Sequence, residues 1–110
     1  MIIKDEQVEA ALAYLNASPS PIGVAKFKLT KAENEKELRY ATLFLAAPGK
    51  SDKAREAFVK SSEAYSTART AYAEAVGSYE NERAKVRGAE MVIECWRTSN
   101  ANQRAAERVR

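Results

Sequence analysis

The chain has no histidine and a single cysteine among its 110 residues, and these two shortages restrict its chemistry first. Without histidine it lacks the commonest general base and metal ligand of proteins. Cys95, standing alone, cannot form an internal disulfide and has no second thiol with which to share a metal ion. The sequence also lacks a glycine-rich phosphate loop and a paired-carboxylate motif. It therefore predicts a protein that is not an enzyme and that holds no metal ion or cofactor.

Turn-forming residues and long apolar runs are also scarce. With three prolines and four glycines the chain has few turns, so elongated helices are favoured over a thick core. No stretch approaches the roughly 20 apolar residues that a membrane span needs. The first five residues, Met1 to Asp5, do not resemble the apolar core of a signal peptide. We expect one soluble, cytoplasmic domain over residues 1–110.

A seven-residue repeat of large apolar side chains is the strongest pattern in the second half of the chain. Its members are Phe58, Tyr65, Tyr72, Tyr79, Val86 and Ile93. Three residues after each comes a second, mostly small series: Ser61, Ala68, Ala75, Glu82, Ala89 and Trp96. Such a repeat is typical of one long helix whose single seam lies against another helix.

Proline, glycine and capping residues divide the chain into predicted helices at 5–16, 20–47 and 51–108. Ser20 followed by Pro21 is typical of an N-cap and first helical residue. Pro48-Gly49 ends the second helix, and Ser51 or the next residue caps the third. The whole is predicted to be all-α: a short N-terminal helix, then an antiparallel helical hairpin with a long C-terminal arm.

The second helix has two apolar stretches that we expect to face the core. The first consists of Ile22, Ala25, Leu29 and Ala32, and the second of Leu38, Ala41, Phe44 and Leu45. Between them, the polar residues 34–37 are expected to face solvent. In the first helix, Val8, Leu12 and Leu15, joined by Ala11, form the corresponding stripe.

Helix lengths favour a homodimer. At about 1.5 Å per residue the second helix spans roughly 40 Å and the third up to roughly 85 Å. Folded back, the second helix covers the seam only to about Tyr79, and the first helix shields one or two heptads more. An exposed apolar seam indicates a partner surface. We expect a coiled-coil-like homodimer through Tyr79, Val86, Ala89, Ile93 and Trp96.

The polar and the aromatic residues of the seam each allow more than one interpretation of their role. Glu82 stands where an apolar residue is expected, and its carboxylate needs a cation such as Arg83, Lys85 or a partner chain's basic residue. We expect it to set register, or to be partly exposed, rather than act as a catalytic acid. The rings of Tyr65, Tyr72 and Tyr79 are expected to pack against small residues. Stacking on nucleic-acid bases is the alternative.

The basic excess of the chain belongs to its last quarter. Residues 83–110 carry seven Lys and Arg against three Glu, whereas residues 1–82 carry eleven against twelve acids. The densest polar stretch gives a candidate nucleic-acid site at Trp96, Arg97, Asn100, Arg104 and Arg108, since arginine binds phosphate through several donors. Alternatives are the preference of helix C-termini for cations, a frayed tail, or a polar end of a dimer seam.

The chain resembles a family of small helical phage and prophage proteins over roughly residues 29 to 104. The resemblance is carried by Leu43-Phe44-Leu45, Pro48-Gly49-Lys50-Ser51, Arg55-Glu56, Tyr65, Tyr72, Tyr79-Glu80, Ala89-Glu90, Ile93-Glu94, Trp96-Arg97, Asn100-Ala101 and Arg104. It implies a place beside phage recombination and replication modules, in the host cytoplasm. It implies no catalytic residue.

Two functions are consistent with these patterns. The first is a non-catalytic phage accessory protein in DNA metabolism that binds nucleic acid through its basic C-terminal helix. The alternative is a protein–protein interaction module, such as an inhibitor or adaptor of a host protein. Expected partners are a second copy of the chain and either nucleic acid or a host or phage protein, but no membrane.

Overall fold

The computed structural model describes residues 2–109, and these form four helices and no strand. The helices are α1 (Asp5–Leu15), α2 (Pro21–Ala46), α3 (Asp52–Ser61) and α4 (Glu63–Val109). The all-α prediction is confirmed, and the first two helices end close to the expected residues. None of the helices in this part of the chain is long and apolar enough to cross a membrane.

The predicted long helix over residues 51–108 is wrong in one respect, because Ser62 interrupts it. This residue is extended, with φ −73° and ψ 134°, and its N–H donates to the carbonyl oxygen of Val59 at 3.0 Å. The interruption also changes the register. Val59 is fully buried, whereas Phe58 is 38% exposed and Ser61 is exposed, so the heptad repeat begins only at Tyr65. Because α3 is a separate helix, the heptad positions of α4 do not extend into it.

Two glycines, by contrast, do not interrupt α4. Gly77 and Gly88 lie within the 47-residue helix, and a Cβ atom at either position would meet nothing within 4 Å. Each glycine costs a helix about 1 kcal/mol relative to alanine. The seam packing on both sides of each glycine offsets that cost, and α4 continues through both.

The helix caps follow the sequence. Ser20 Oγ accepts a hydrogen bond from the N–H of Gly23 at 3.3 Å, and Ser51 Oγ accepts one from the N–H of Ala54 at 3.1 Å. Gly49 has φ +122°, a conformation that side chains of L-residues rarely adopt. The predicted starts of α2 and α3, and the glycine turn between these helices, are confirmed.

The chain divides into two compact units. One contains the residues up to Gly23 and those from Asn81 onward, and the other runs from Val24 to Glu80. Within the second unit, α2 and α4 are antiparallel: Lys26 lies over the ring of Tyr79, whereas Tyr40, further along α2, contacts Tyr65, nearer the start of α4. The predicted hairpin is confirmed here.

The inward face of α2 departs from the predicted stripe after Ala32. Leu38 and Leu45, expected in the core, are 62% and 81% exposed. The helical period brings Lys36 and Tyr40 inward instead, and the Lys36 ammonium lies 4.2 Å from the ring centroid of Tyr72. A lysine can occupy such a position because its aliphatic stem packs on apolar surface while its charge contacts the ring face.

In the unit formed by residues 2–23 and 81–109, α1 lies beside the later part of α4. Tyr14 hydrogen-bonds Glu82, and Ala89 is only 9% exposed. Val8 and Ala11 are buried as expected, whereas Leu12 is 44% exposed.

The seam after Tyr79 is therefore partly covered within the chain itself. Val86, Ile93 and Trp96 are partly buried, as is Tyr79 in its own unit. These residues serve intramolecular packing, and the dimer predicted through them stays a prediction.

Val59→Ala tests the register of α3. We expect it to lower the free energy of unfolding by about 2 kcal/mol, because it leaves a cavity at a fully buried position. The same substitution at the 86% exposed Val109 is the matched control and should change stability by less than about 0.5 kcal/mol. Urea unfolding followed by circular dichroism measures both. Equal effects would contradict the assignment of Val59 to the core.

Candidate nucleic-acid interface and the Tyr14–Glu82 contact

The last three turns of α4 are helical and surrounded by solvent. From Arg97 to Val109 every residue is exposed except Asn100, which is partly buried. Trp96, just before this stretch, is also partly buried. Both continue the seam of α4, because Trp96 follows Ile93 by three residues and Asn100 follows Trp96 by four. The segment after Trp96 is thus an exposed helix that ends the buried seam.

The structure brings the three predicted arginines to one face of this exposed helix. Arg97, Arg104 and Arg108 recur at intervals of seven and four residues, so they point in nearly the same direction. The Nε–H of Arg104 donates to the carbonyl oxygen of Asn100 at 3.4 Å. Trp96 lies about a quarter turn away on the seam side, at 100° per residue. The indole is therefore not part of the arginine face.

The charge of the segment is positive but modest. Residues 95–109 carry three arginines against one acid, Glu107. Arg108 stands in the last turn of α4, where a cation is favoured by the helix dipole. That effect accounts for one arginine, whereas Arg97 lies three turns earlier, beyond the reach of the terminal dipole. The face as a whole is suited to a phosphate-bearing partner.

A second polar arrangement joins α1 to α4 and was not foreseen from the sequence. The hydroxyl of Tyr14 donates to the Glu82 carboxylate, and Lys85 Nζ lies 3.4 Å from the other carboxylate oxygen. Lys85 was an expected partner of Glu82; Tyr14 was not. Its only signal was its position three residues after Ala11, on the edge of the stripe of α1.

The contact perturbs both titrating groups. The hydrogen bond to the carboxylate, with desolvation, raises the pKa of Tyr14 to about 12. The same hydrogen bond, together with Lys85, lowers the pKa of Glu82 against the opposing effect of desolvation. A tyrosine that holds its proton and a glutamate that stays ionised exchange no proton near neutral pH. The arrangement ties α1 to α4 and fits no acid–base role.

The tyrosine series is occupied by contacts within the hairpin. The ring of Tyr65 makes an edge contact with Tyr40 at 5.7 Å, Tyr72 lies under the Lys36 ammonium, and Tyr79 lies 5.2 Å from Lys26 Nζ. All three seam rings are partly buried. These contacts favour the packing interpretation, since base stacking would have to displace them.

Side chains able to hold a metal ion do not cluster in the part of the chain that the structure describes. Between residues 2 and 109, no three His, Cys, Asp or Glu residues come together. Cys95 is exposed on α4. The arginine face remains the strongest candidate site.

The raised pKa of Tyr14 predicts a loss of stability in alkali. The folded protein favours the neutral hydroxyl of Tyr14. The contribution of this hydroxyl to the free energy of unfolding is therefore complete below pH 10 and is lost as pH rises toward about 12. The free energy of unfolding should fall across this window, and Tyr14→Phe should reduce the fall. Chemical denaturation at pH 9 to 11.5 measures it. Tyr72→Phe, the control, should behave as the unmodified chain does; an equal change in both variants would contradict the prediction.

The lowered pKa of Glu82 predicts a second loss in acid. The ionised carboxylate stabilises the folded chain above about pH 4.5, and this contribution disappears as pH falls through the lower folded-state pKa. Glu82→Gln should lower the melting temperature at pH 7, and this effect should diminish as pH falls through the lowered folded-state pKa of Glu82. The exposed Glu94→Gln provides the control. A pH-independent effect of Glu82→Gln would be the contrary result.

Comparison with known proteins identifies no family for the chain. It matches no protein-family model, no curated protein and no solved structure. The resemblance to phage and prophage proteins therefore rests on the residues quoted for it alone.

Proposed function

We propose that the chain is a non-catalytic accessory protein of DNA metabolism that binds nucleic acid through the exposed end of α4. The observation that carries the proposal is the arginine face of Arg97, Arg104 and Arg108 on a helix open to solvent on nearly all sides. A helix of this kind can lie along a phosphate backbone without first breaking a packed interface. Its place in phage recombination or replication follows from the resemblance.

The proposed binding is electrostatic and of low sequence specificity. Guanidinium groups contact phosphates through paired donors and read no base sequence from there. From Arg97 to Arg108 the face extends about 16 Å along the helix axis, long enough for a few phosphates. About three contacts would give a slope of −2 to −3 in log affinity against log salt. Binding should therefore be weak at physiological salt and much tighter at low salt.

A protein-interaction module is the second candidate, and one specific observation favours it. Large apolar side chains lie exposed on α2, among them Phe27 at 69% and Leu38 at 62%. Exposed apolar residues gathered on one face indicate a protein partner more than a phosphate backbone. If this candidate were right, a stoichiometric host protein would be captured from a nuclease-treated lysate, and Leu38→Glu would abolish the capture.

Replacing the three arginines tests the nucleic-acid proposal. Fluorescence anisotropy with labelled single- and double-stranded oligonucleotides at 25 and 150 mM salt should show binding that weakens with salt. The triple variant Arg97→Ala, Arg104→Ala and Arg108→Ala should lose at least about tenfold in affinity at low salt and most of the salt dependence.

A charge-matched variant separates a site from general attraction. Lys50→Ala, Lys53→Ala and Lys60→Ala also remove three exposed positive charges, but from the region around α3. This control should retain affinity within about threefold and keep its salt slope. No binding at 25 mM salt, or the same loss in both triple variants, would refute the proposal.

A further inference from the structure

The exposed side of α2 carries a heptad repeat of its own. Its positions alternate at intervals of three and four residues, on the side of the helix opposite Ala25 and Lys36, which pack inward. We call this set the outer stripe, and its members are Val24, Phe27, Lys31, Asn34, Leu38, Ala41 and Leu45. The solvent side of a helix is normally polar, so a heptad pattern there indicates a second helix.

The outer stripe has no cover within its unit. Val24 is 37% exposed, Phe27 69%, Leu38 62% and Leu45 81%. Between Phe27 and Leu38 lies a shallow groove of about 320 Å³, which Lys31 and Asn34 also line. The stripe is about 30 Å long at the rise of an α-helix. It therefore offers a helix-length apolar surface with polar residues at its centre.

We propose that the occupant of the outer stripe is the same stripe of a second copy, in antiparallel orientation. Antiparallel coiled coils oppose the two alternating heptad positions, so residue numbers across each layer have a constant sum. One register places Phe27 against Leu38 of the second copy and Val24 against Ala41 of the second copy. Val24, Phe27 and Leu38 then each meet an apolar partner, and the two-fold axis repeats every layer. Leu45 lies beyond the last layer of this register.

The two central layers of this register are polar and complementary. Lys31 lies against Asn34 of the second copy, and Asn34 against Lys31 of the second copy. The lysine ammonium donates and the asparagine amide oxygen accepts, so neither is left without a partner. Polar core pairs of this kind select register and orientation in coiled coils.

Charge on one flank of the stripe fits the same register. Lys28 and Glu35 occupy equivalent flanking positions one heptad apart on α2. Antiparallel pairing brings Lys28 of each copy beside Glu35 of the other, which gives two ion pairs between the chains. The flanks of coiled coils determine partner choice through such pairs.

A parallel arrangement lacks these advantages. Parallel helices oppose identical positions, so Lys31 would face Lys31 of the second copy in the core. Lys28 and Glu35 would no longer pair across the interface.

The surface beside the stripe also leaves room for another helix. A groove of about 730 Å³ next to Lys28 and Glu35 has small side chains along it, namely Ala32, Ala64, Ala68 and Ala71.

This dimer differs from one through the seam of α4 and does not depend on nucleic-acid binding. The outer stripe lies wholly within the unit from Val24 to Glu80, whereas the arginine face lies in the other unit. Loss of the dimer and loss of oligonucleotide binding are therefore separable by variants that change only one of the two surfaces.

Sedimentation equilibrium of the full chain under reducing conditions is the first test. At tens of micromolar we expect a mass twice 12.2 kDa. Phe27→Glu and Leu38→Glu should each raise the dimer dissociation constant at least about a hundredfold, since they place a carboxylate in an apolar layer. Met91→Glu, at a 61% exposed site on α4, is the control and should remain dimeric. Circular dichroism confirms that each variant is still helical.

Charge exchange then tests the orientation. Lys28→Glu or Glu35→Lys alone creates two like-charge pairs in the antiparallel dimer and should weaken it by about tenfold. The two substitutions together restore opposite charges and should return the dissociation constant to within about threefold of the original.

The results that would overturn the proposal are equally specific. A 12.2 kDa monomer at 100 µM, with the stripe occupied instead by another protein, would assign the surface to a different partner. A dimer that survives Leu38→Glu would use another face. A double charge variant no better than the single variants would exclude the antiparallel register.

Discussion

Alternation of large and small residues along one side of α4 is the constraint on which the rest of the structure depends. In the hairpin, Tyr65, Tyr72 and Tyr79 fill the seam while Ala68 and Ala75 leave room for α2 to approach. The rings are covered by residues of α2, partly through ammonium groups lying on their faces. In the other unit the same periodicity continues as far as Trp96, and there α1 provides the cover.

Much of this architecture could be predicted from local signals. Ser20, Ser51 and Gly49 act within one turn of their own position, so their effects can be derived without knowing the fold. The heptad repeat from Tyr65 onward is also local, since a helix displays its periodicity directly. The antiparallel hairpin then follows from the short connection between α2 and α3.

Other features could not be derived because they depend on competition between distant groups. The hydrogen bond from Tyr14 to Glu82 joins residues 68 positions apart. No proline or glycine lies near the break at Ser62, so the sequence has no local signal that predicts it. The inward face of α2 follows the helical phase through Lys36, although Leu38 is the more apolar residue. The outer stripe could not be recognised from the sequence for the same reason, because its leucines were predicted to face the core.

The uninterrupted passage of α4 through Gly77 and Gly88 has a consequence for local motion. A glycine lowers the stability of the turn around it, and neither position has a neighbouring atom that a methyl group would strike. Amide hydrogen exchange should therefore be fastest, within the interior of α4, in the turns flanking these two residues. Alanine at both positions would stiffen the helix without disturbing a contact. A 47-residue helix can thus bend at two defined places while its packed side stays intact.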